Sequence, residues 1–422
     1  MTVSTSAAVT TSAPHRTLTA HFCRERCGHV PARWGLCLNV VESLASSVVL
    51  VVAVAAAAAV IAIRARRIDL WLSAYARNCL TPRVSSLGCV HLFVCIADHF
   101  EPALNQASLA QQRARVDEWI RRYPVLSARH RDADGRPPQH TFFYPAEDYC
   151  AEHLDRLAEL CRAGFGDVEV HVHHDRDTSA GLRDKLLHFT RTLHERHGLL
   201  RRELDGRISY GFIHGNWALD NSHPDGRWCG VNDELRVLRD TGCYADFTFP
   251  SAPSPTQTTK INSIYYAVDD PARPKSHDTG VDARVGGGPV GDLLLVQGPL
   301  TLDWGARKWG LFPRIENGDL SGDNPPSPRR ADLWLRQRIH VVGRPEWVFI
   351  KLHTHGADER NVEALLGPSM DQTLTYLERT FNDGTRFRLH YVTAREMVDV
   401  IRAAESDASL PTFDRPGPDA TL

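Results

Sequence analysis

Between about residue 89 and residue 404, short apolar segments alternate with segments whose apolar residues recur at helical spacing. The first predicted strand, Val90–Ala97, is continuously apolar, which is typical of a strand buried on both faces. The helix after it is predicted to end at Pro124, because proline breaks the helical hydrogen-bond pattern. Further strands are predicted at His140–Tyr144, Val168–Val172, Ile208–Ile213, Tyr244–Phe249, Trp347–Leu352 and Phe387–Val392. This alternation predicts an α/β fold with a parallel sheet and crossover helices.

Residues 250–330 interrupt the alternation with an irregular insertion rich in proline and glycine. One strand, Leu293–Gly298, is predicted within it. Long loops in compact domains commonly form lids or rims of functional sites. Trp304 and Trp309 lie here, and two interpretations stay open: stacking on sugar rings, or ordinary packing of the loop.

The segment before residue 89 divides into three parts. Residues 1–42 are predicted to form a polar, largely disordered tail, residues 43–63 contain no charge, and residues 64–88 are predicted to form a juxtamembrane linker. At about 1.5 Å per residue, the uncharged segment is long enough to cross a hydrocarbon core of ~30 Å. We expect one transmembrane helix there; a cleaved signal peptide and a later translation start are the alternatives. Residues 405–422 are expected to be a second disordered tail.

The predicted orientation in the membrane rests on arginines that flank the uncharged segment. Within about 20 residues of its ends, three precede it and five follow it: Arg24, Arg26 and Arg33, then Arg64, Arg66, Arg67, Arg77 and Arg83. Because positive residues favour the cytoplasmic side, the bias weakly favours a cytoplasmic body of a single-pass membrane protein.

The composition of the 422 residues is that of a globular protein, with 42% hydrophobic and 24% charged residues. A formal net charge of −2 gives no reason to expect nucleic acid as a partner. The 10 cysteines include no Cys-x-x-Cys pair, which disfavours a structural zinc knuckle. The 21 histidines are more informative, because imidazole binds metals and transfers protons near neutral pH.

Histidines and carboxylates concentrate in Asp167–Asp177. Because alternate residues of a strand share a face, His171 and His173 are expected to point away from the valines between them. His174, Asp175 and Asp177 follow at once. Imidazole and carboxylate groups at a strand end predict a metal site.

Other predicted strands also end in polar residues, namely Asp98 and His99, His214 to Trp217, and His353 to His355. Ligand sites of barrels and open parallel sheets lie at the carboxyl ends of their strands. No G-x-G-x-x-G motif joins a predicted strand to a predicted helix, and a Walker loop is absent from the sequence, which disfavours nucleotide binding.

The order of these motifs resembles the polysaccharide deacetylase (NodB-homology) superfamily over about residues 90–400. Asp98-His99 stands where that family has an Asp-Asp motif, and Thr141-Phe142-Phe143 stands at its Thr-Phe-Phe motif. The His171 segment stands at its His-x-x-x-His metal motif, although here Asp175 occupies the fourth place after His171. Leu352-His353 is similar to its late Leu-His strand end.

The resemblance implies a distorted (β/α)7-type barrel that binds one divalent metal ion, with zinc favoured. It implies removal of an N-acetyl or related acyl group from a sugar polymer or a lipid-linked glycan. Asp98 would be the general base and His353 the general acid. The expected metal ligands are His99, His171, His173 and Asp175. The expected substrate-binding residues are His214, Asn216, Trp217 and His355.

Two other functions remain open. A metal-assisted glycoside hydrolase on the same barrel needs a carboxylate pair, for which Asp98 with Glu101 or Asp175 is the candidate. A non-catalytic, membrane-anchored glycan-binding or assembly protein would bind sugar through Trp304 or Trp309 without turnover.

Overall fold

The computed structural model describes residues 32–80, 88–308, 310 and 312–413. The chain divides into two compact units, residues 1–61 and residues 62–422. The predicted N-terminal tail as far as residue 31, Trp309, and the predicted C-terminal tail beyond residue 413 lie outside the described residues.

The described helices are α1 Ala32–Ala65, α2 Leu72–Leu80, α3 Leu109–Ser127, α4 Ala151–Arg162, α5 Ser179–His197, α6 Glu234–Asp240, α7 Pro328–Arg336, α8 Glu359–Leu366, α9 Pro368–Phe381 and α10 Ala394–Glu405. The described strands are β1 Val90–His99, β2 His140–Pro145, β3 Gly166–Val172, β4 Arg201–Arg202, β5 Ile208–His214, β6 Cys243–Asp246, β7 Ile264–Ala267, β8 Val281–Asp282, β9 Leu293–Val296, β10 Thr301–Lys308, β11 Phe312–Glu316, β12 Asp319–Leu320, β13 Trp347–Thr354 and β14 Phe387–Tyr391.

A single central sheet organises the second unit, in the order β12-β13-β1-β2-β3-β5-β6-β9-β7-β8. From β12 to β9 neighbouring strands pair in parallel, and β7 and β8 add an antiparallel edge. Beyond β9 the chain approaches β13, because a Cβ atom on Gly298 would lie 2.4 Å from the Lys351 carbonyl oxygen. The row of parallel strands therefore curves back on itself. The predicted α/β fold with a mostly parallel sheet is confirmed.

The two faces of the sheet belong to two hydrophobic clusters. Leu92, Val94 and Ile96 of β1 point to the outer face, which packs on helices α3 to α9. Phe93, Cys95 and Ala97 point to the inner face, whose cluster includes residues of α10. Because side chains alternate along a strand, these two sets place every later residue of β1 on one face or the other.

Local features explain where several elements begin. The Ser108 side chain caps α3 by accepting a hydrogen bond from the Gln111 backbone N–H. The Gln111 side chain in turn accepts one from the Ser108 backbone N–H. Gly166 opens β3 at a φ of +145°, where a Cβ atom would lie 1.8 Å from the His140 carbonyl oxygen. Only glycine fits this close approach of β3 to β2.

The prediction that α3 ends at Pro124 is wrong, because α3 continues to Ser127. Proline removes one backbone donor in the last turn, yet the Pro124 carbonyl still accepts from the Ala128 N–H. Tyr123 and Leu126, which flank the proline, are buried in the outer cluster. Packing of this last turn outweighs the lost hydrogen bond.

The insertion at residues 250–330 is more regular than predicted. Besides β9 it contains β7, β8, the β10–β11 hairpin and β12. β7 pairs with β9 and β8, and β9 pairs with β6. Such short strands depend on partners distant in the sequence, so their own residue pattern does not reveal them.

The segment predicted as a juxtamembrane linker contains a 3₁₀ turn, Ile68–Leu70, followed by α2. Trp71 is fully buried in a cluster with Ile261 and Leu300 of the insertion. The residues after Ile68 are therefore part of the folded second unit.

The uncharged N-terminal segment lies within α1. Its stretch Glu42–Ala65 spans 24 residues with a hydropathy of 2.7, and by length and composition it is able to cross a membrane.

Candidate functional site

The carboxyl ends of β1, β3 and β13 bring histidines together on the inner face of the sheet. His99 follows Ala97 on that face of β1, and Ala97 lies opposite His353 of β13. We call the residues of this rim that offer metal-binding atoms the rim cluster. They are His99, Glu101, His171, His173 and His355.

Glu101 joins the two halves of the rim cluster. Its Oε1 lies 2.9 Å from His171 Nε2 and 3.2 Å from His173 Nε2. The His99 ring lies 4.7 Å from the His355 ring and 4.8 Å from the His171 ring, between centroids. The ligand atoms of His99, Glu101 and His355 lie within 4.8 Å of one another, and so do those of Glu101, His171 and His173. One ion would reach either set.

In its neutral form, His171 places a hydrogen-bond acceptor, its Nε2 atom, against another acceptor, the Glu101 carboxylate. Its Nδ1 lies 3.2 Å from the Ile213 carbonyl oxygen, which accepts and therefore requires the ring proton on Nδ1. The Nε2 lone pair of the neutral ring then faces the Glu101 carboxylate at 2.9 Å. A cation between these atoms resolves the conflict, and the same tautomer is common in metal-binding histidines.

His99 supplies a second indication of a cation-binding site. It is fully buried, and neither ring nitrogen has a hydrogen-bond partner among the described residues. An unpaired buried polar atom destabilises a fold by about 1–3 kcal/mol. Metal coordination would satisfy one of these nitrogens.

The electrostatics of the rim cluster keep its deepest histidines neutral. Burial, reinforced by the neighbouring histidines, lowers the pKa of His99 well below its usual value. Burial also lowers the pKa of His171, although Glu101 opposes it. Burial raises the Glu101 pKa, but the close approach of His171 and His173 outweighs burial and leaves that pKa lowered. Neutral imidazoles beside an ionised carboxylate are the protonation states that a metal requires of its ligands.

His173 differs from the buried histidines because it is 31% exposed and contacts two carboxylates. Its Nδ1 and its backbone N–H both bind Glu147, and its Nε2 faces Glu101. Burial lowers the His173 pKa, but these two carboxylates outweigh burial and raise the pKa to about 10. The sequence analysis missed Glu147, which lies in a 3₁₀ turn directly after β2. Its position at a strand end is the signal that would have found it.

Asp98, predicted as the general base, lies outside the rim cluster. It is fully buried on the outer face, because it is the neighbour of His99 on β1. Its Oδ2 lies 2.8 Å from His140 Nε2, and its Oδ1 accepts a 2.6 Å hydrogen bond from the Gly356 N–H. Trp119 donates to the Gly356 carbonyl over 2.7 Å. These contacts hold the turn that follows His355.

His353, predicted as the general acid, and Trp217 lie beside the rim cluster. Their rings contact edge to face at 5.1 Å, and the Trp217 ring stacks on His99 at 4.6 Å. Burial lowers the His353 pKa well below its usual value, and Lys351 and His355 add to the effect. His353 Nδ1 is another buried nitrogen without a partner in the described part of the chain.

The remaining predicted site residues are not brought to the rim cluster. Asp175 is exposed and accepts a hydrogen bond from the Trp228 backbone. His214 points to the outer face beside His174 and Glu234, and the Asn216 backbone N–H approaches His214 Nδ1 at 3.2 Å.

Of two cavities, the smaller one reaches the rim cluster and the larger one does not. One, of about 670 Å³, is lined by His173 and Glu147, together with Tyr149, Lys185 and Arg191. A larger one, of about 1170 Å³, lies elsewhere, between α2 and the insertion, and is lined by Trp304. The smaller cavity therefore gives access to the exposed side of the rim cluster.

Comparisons with known proteins leave the family open. No protein-family model matches the chain, and no curated protein matches it. One solved structure that matches is a GH57-type branching enzyme from the hyperthermophilic archaeon Pyrococcus horikoshii. The match covers 78% of this chain and 73% of that one, at 10% identity and a TM-score of 0.35. That neighbour is not a NodB-type deacetylase, and the likeness is too remote to assign an activity.

Proposed function

We propose that the protein is a metal-dependent hydrolase acting on a carbohydrate, with a divalent ion, zinc favoured, in the rim cluster. The observation that carries the proposal is the pair His171 Nε2 and Glu101 Oε1, two acceptors 2.9 Å apart in a buried setting. His99, whose two ring nitrogens have no hydrogen-bond partner in the described part of the chain, supports the same ion.

In this proposal four residues of the rim cluster hold the ion and His173 transfers the proton. His99, Glu101 and His171 are the ligands, and His355 completes the set. A zinc ion in such a site lowers the pKa of a bound water and polarises a carbonyl oxygen. His173 faces the 670 Å³ cavity and is paired with Glu147, so it exchanges a proton with the substrate. Trp217 stacks on His99 and contacts His353, so these two rings would shield the metal ligand His99 from water.

We propose an N-acylated sugar polymer or lipid-linked glycan as the substrate. Amide hydrolysis needs an activated water, stabilisation of the oxyanion and an acid for the leaving amine. The proposed ligands and the His173–Glu147 pair supply these functions side by side. The order of motifs that resembles polysaccharide deacetylases supports the acyl group as the target. In this arrangement Asp98 acts by positioning, in place of the general-base role that the sequence predicts.

The test combines metal analysis with acetate release on the full-length chain purified in detergent. His171→Ala should lose the metal of the rim cluster, and with it acetate release from N-acetylated sugar oligomers. His173→Ala should keep the metal and lose roughly 100-fold or more in turnover, the scale of general acid–base catalysis. His188→Ala, which changes an exposed histidine of the same cavity wall, is the matched control and should change neither. Unchanged metal content in His171→Ala would refute the ligand assignment.

A second candidate is a glycoside hydrolase on the same scaffold. Glu101 and Glu147 bind opposite ring nitrogens of His173, so two carboxylates meet at the rim, the number that most glycosidases use. The carboxylates that the sequence analysis paired, Asp98 with Glu101 or with Asp175, do not lie together. Asp98 accepts from the Gly356 N–H, and Asp175 accepts from the Trp228 N–H. Cleavage of a glycosidic bond that survives metal removal but not Glu147→Gln would favour this candidate. Metal binding without any turnover would favour a glycan-binding protein.

A further inference from the structure

A second group of metal-binding side chains lies on the outer face of the sheet, where the described mechanism uses none of them. We call it the outer cluster: His174, His214, Cys229 and Glu234. Its four ligand atoms lie within 4.8 Å of one another, and all four residues are buried. His174 directly follows His173 at the end of β3, so the two side chains lie on opposite faces of the sheet.

The carboxylate of Glu234 is at the centre of the outer cluster. Its Oε1 lies 3.1 Å from His174 Nε2 and 3.9 Å from His214 Nε2. Its Oε2 accepts from the Asp220 backbone N–H at 2.6 Å and lies 3.3 Å from Cys229 Sγ. The Glu234 side chain is 0% exposed, and none of these contacts is to a lysine or arginine. A fully buried carboxylate that contacts no basic side chain would be stabilised by a metal cation.

The sulfur and one imidazole of the outer cluster are arranged to receive a metal. Cys229 Sγ accepts from the Asn221 N–H at 3.3 Å and from the Val231 N–H at 3.4 Å, contacts that stabilise negative charge on sulfur. His214 is fully buried, and its Nε2 has no hydrogen-bond partner in the described part of the chain. A metal on His214 Nε2 requires the ring proton on Nδ1, so the Asn216 N–H contact to Nδ1, which at 3.2 Å is near the long end of hydrogen-bond length, has to be released on binding.

We propose that the outer cluster binds a structural zinc ion, separate from the ion of the rim cluster. Nitrogen, sulfur and carboxylate ligands in a closed set of four are typical of structural zinc. On binding, the thiol proton of Cys229 leaves to solvent and the thiolate coordinates the ion. The ion joins β3 and β5 to the loop between β5 and α6. That loop carries Trp217, which stacks on His99, so the second ion fixes one wall of the rim cluster.

The test uses the full-length chain, with zinc and then cobalt as the probes. Wild type should bind about two equivalents, and its cobalt form should show a thiolate-to-metal charge-transfer band. Cys229→Ser should lose one equivalent and the band. Cys243→Ser is the matched control, because Cys243 is also a buried cysteine but lies outside the cluster, and it should keep both. His171→Ala should lose the other equivalent and keep the band, so failure of the rim site and failure of the outer site are distinguishable.

A measurement on wild type covers the case in which Cys229→Ser does not fold. Alkylation of Cys229, mapped by mass spectrometry, should rise at least tenfold after zinc is removed with a chelator and fall again when zinc is restored. An absent charge-transfer band in wild type, or equal alkylation with and without zinc, would overturn the proposal. The outer cluster would then be a hydrogen-bonded network without metal.

Discussion

Replacing Asp98 with asparagine distinguishes a general base from a residue that positions others. Asp98 is fully buried and bridges His140 Nε2 and the Gly356 N–H at 2.8 and 2.6 Å. Asparagine has nearly the same shape, so its oxygen still accepts from Gly356 and only the charge-assisted bond to His140 is lost. Gly356 follows His355, and its N–H exchanges a charged acceptor for a neutral, weaker one, so the change reaches the rim cluster through the turn.

The expected loss of stability follows from these two bonds. A hydrogen bond to a charged group contributes about 1.5–3 kcal/mol, so Asp98→Asn should lower the free energy of unfolding by that amount. Asp98→Ala leaves both partners unpaired in a buried place, at about 1–3 kcal/mol each. Metal affinity should fall by roughly 10-fold, the lower end for partners of metal ligands, and excess zinc should restore activity.

Urea unfolding, metal analysis and acetate release at saturating zinc measure these effects on one preparation. Asp155→Asn is the control, because Asp155 pairs with His197 over 2.7 Å while remaining 59% exposed. We expect that exposed pair to contribute less than about 1 kcal/mol. Unchanged stability of Asp98→Asn, with activity lost even at saturating zinc, would refute the positioning role and support Asp98 as the general base.

Two further predictions concern other parts of the chain. Burial lowers the His130 pKa, but Glu378 and Asp371 outweigh burial and raise it, so His130→Gln should destabilise the protein by about 1 kcal/mol below pH 6.5. The difference between wild type and variant in urea unfolding should disappear as pH rises through the raised pKa, because the folded state then loses its extra proton; a pH-independent difference would contradict this explanation. For α1, the full-length chain should stay with membranes through carbonate washing, whereas a chain that begins at Ala62 should be released. A reporter fused after Leu422 should be cytoplasmic if the arginine bias sets the orientation, and an external reporter would contradict it.

The sequence by itself determined the alternation of elements and the shared face of His171 and His173. Both follow from local rules: apolar periodicity distinguishes strands from helices, and residues two apart on a strand point the same way. The accumulation of histidines at strand ends was equally visible, because parallel strands end at one edge.

Only the tertiary structure decided which polar residue at each strand end reaches which site. On β1 the continuous apolar run does not reveal a face, so Asp98 and His99 were indistinguishable until the two clusters assigned one to each side. Glu147 joins His173 across 26 positions, and Glu234 meets His174 across 60. Local pattern carries no information about such distant contacts. The short strands of the insertion depend in the same way on partners supplied by the rest of the sheet.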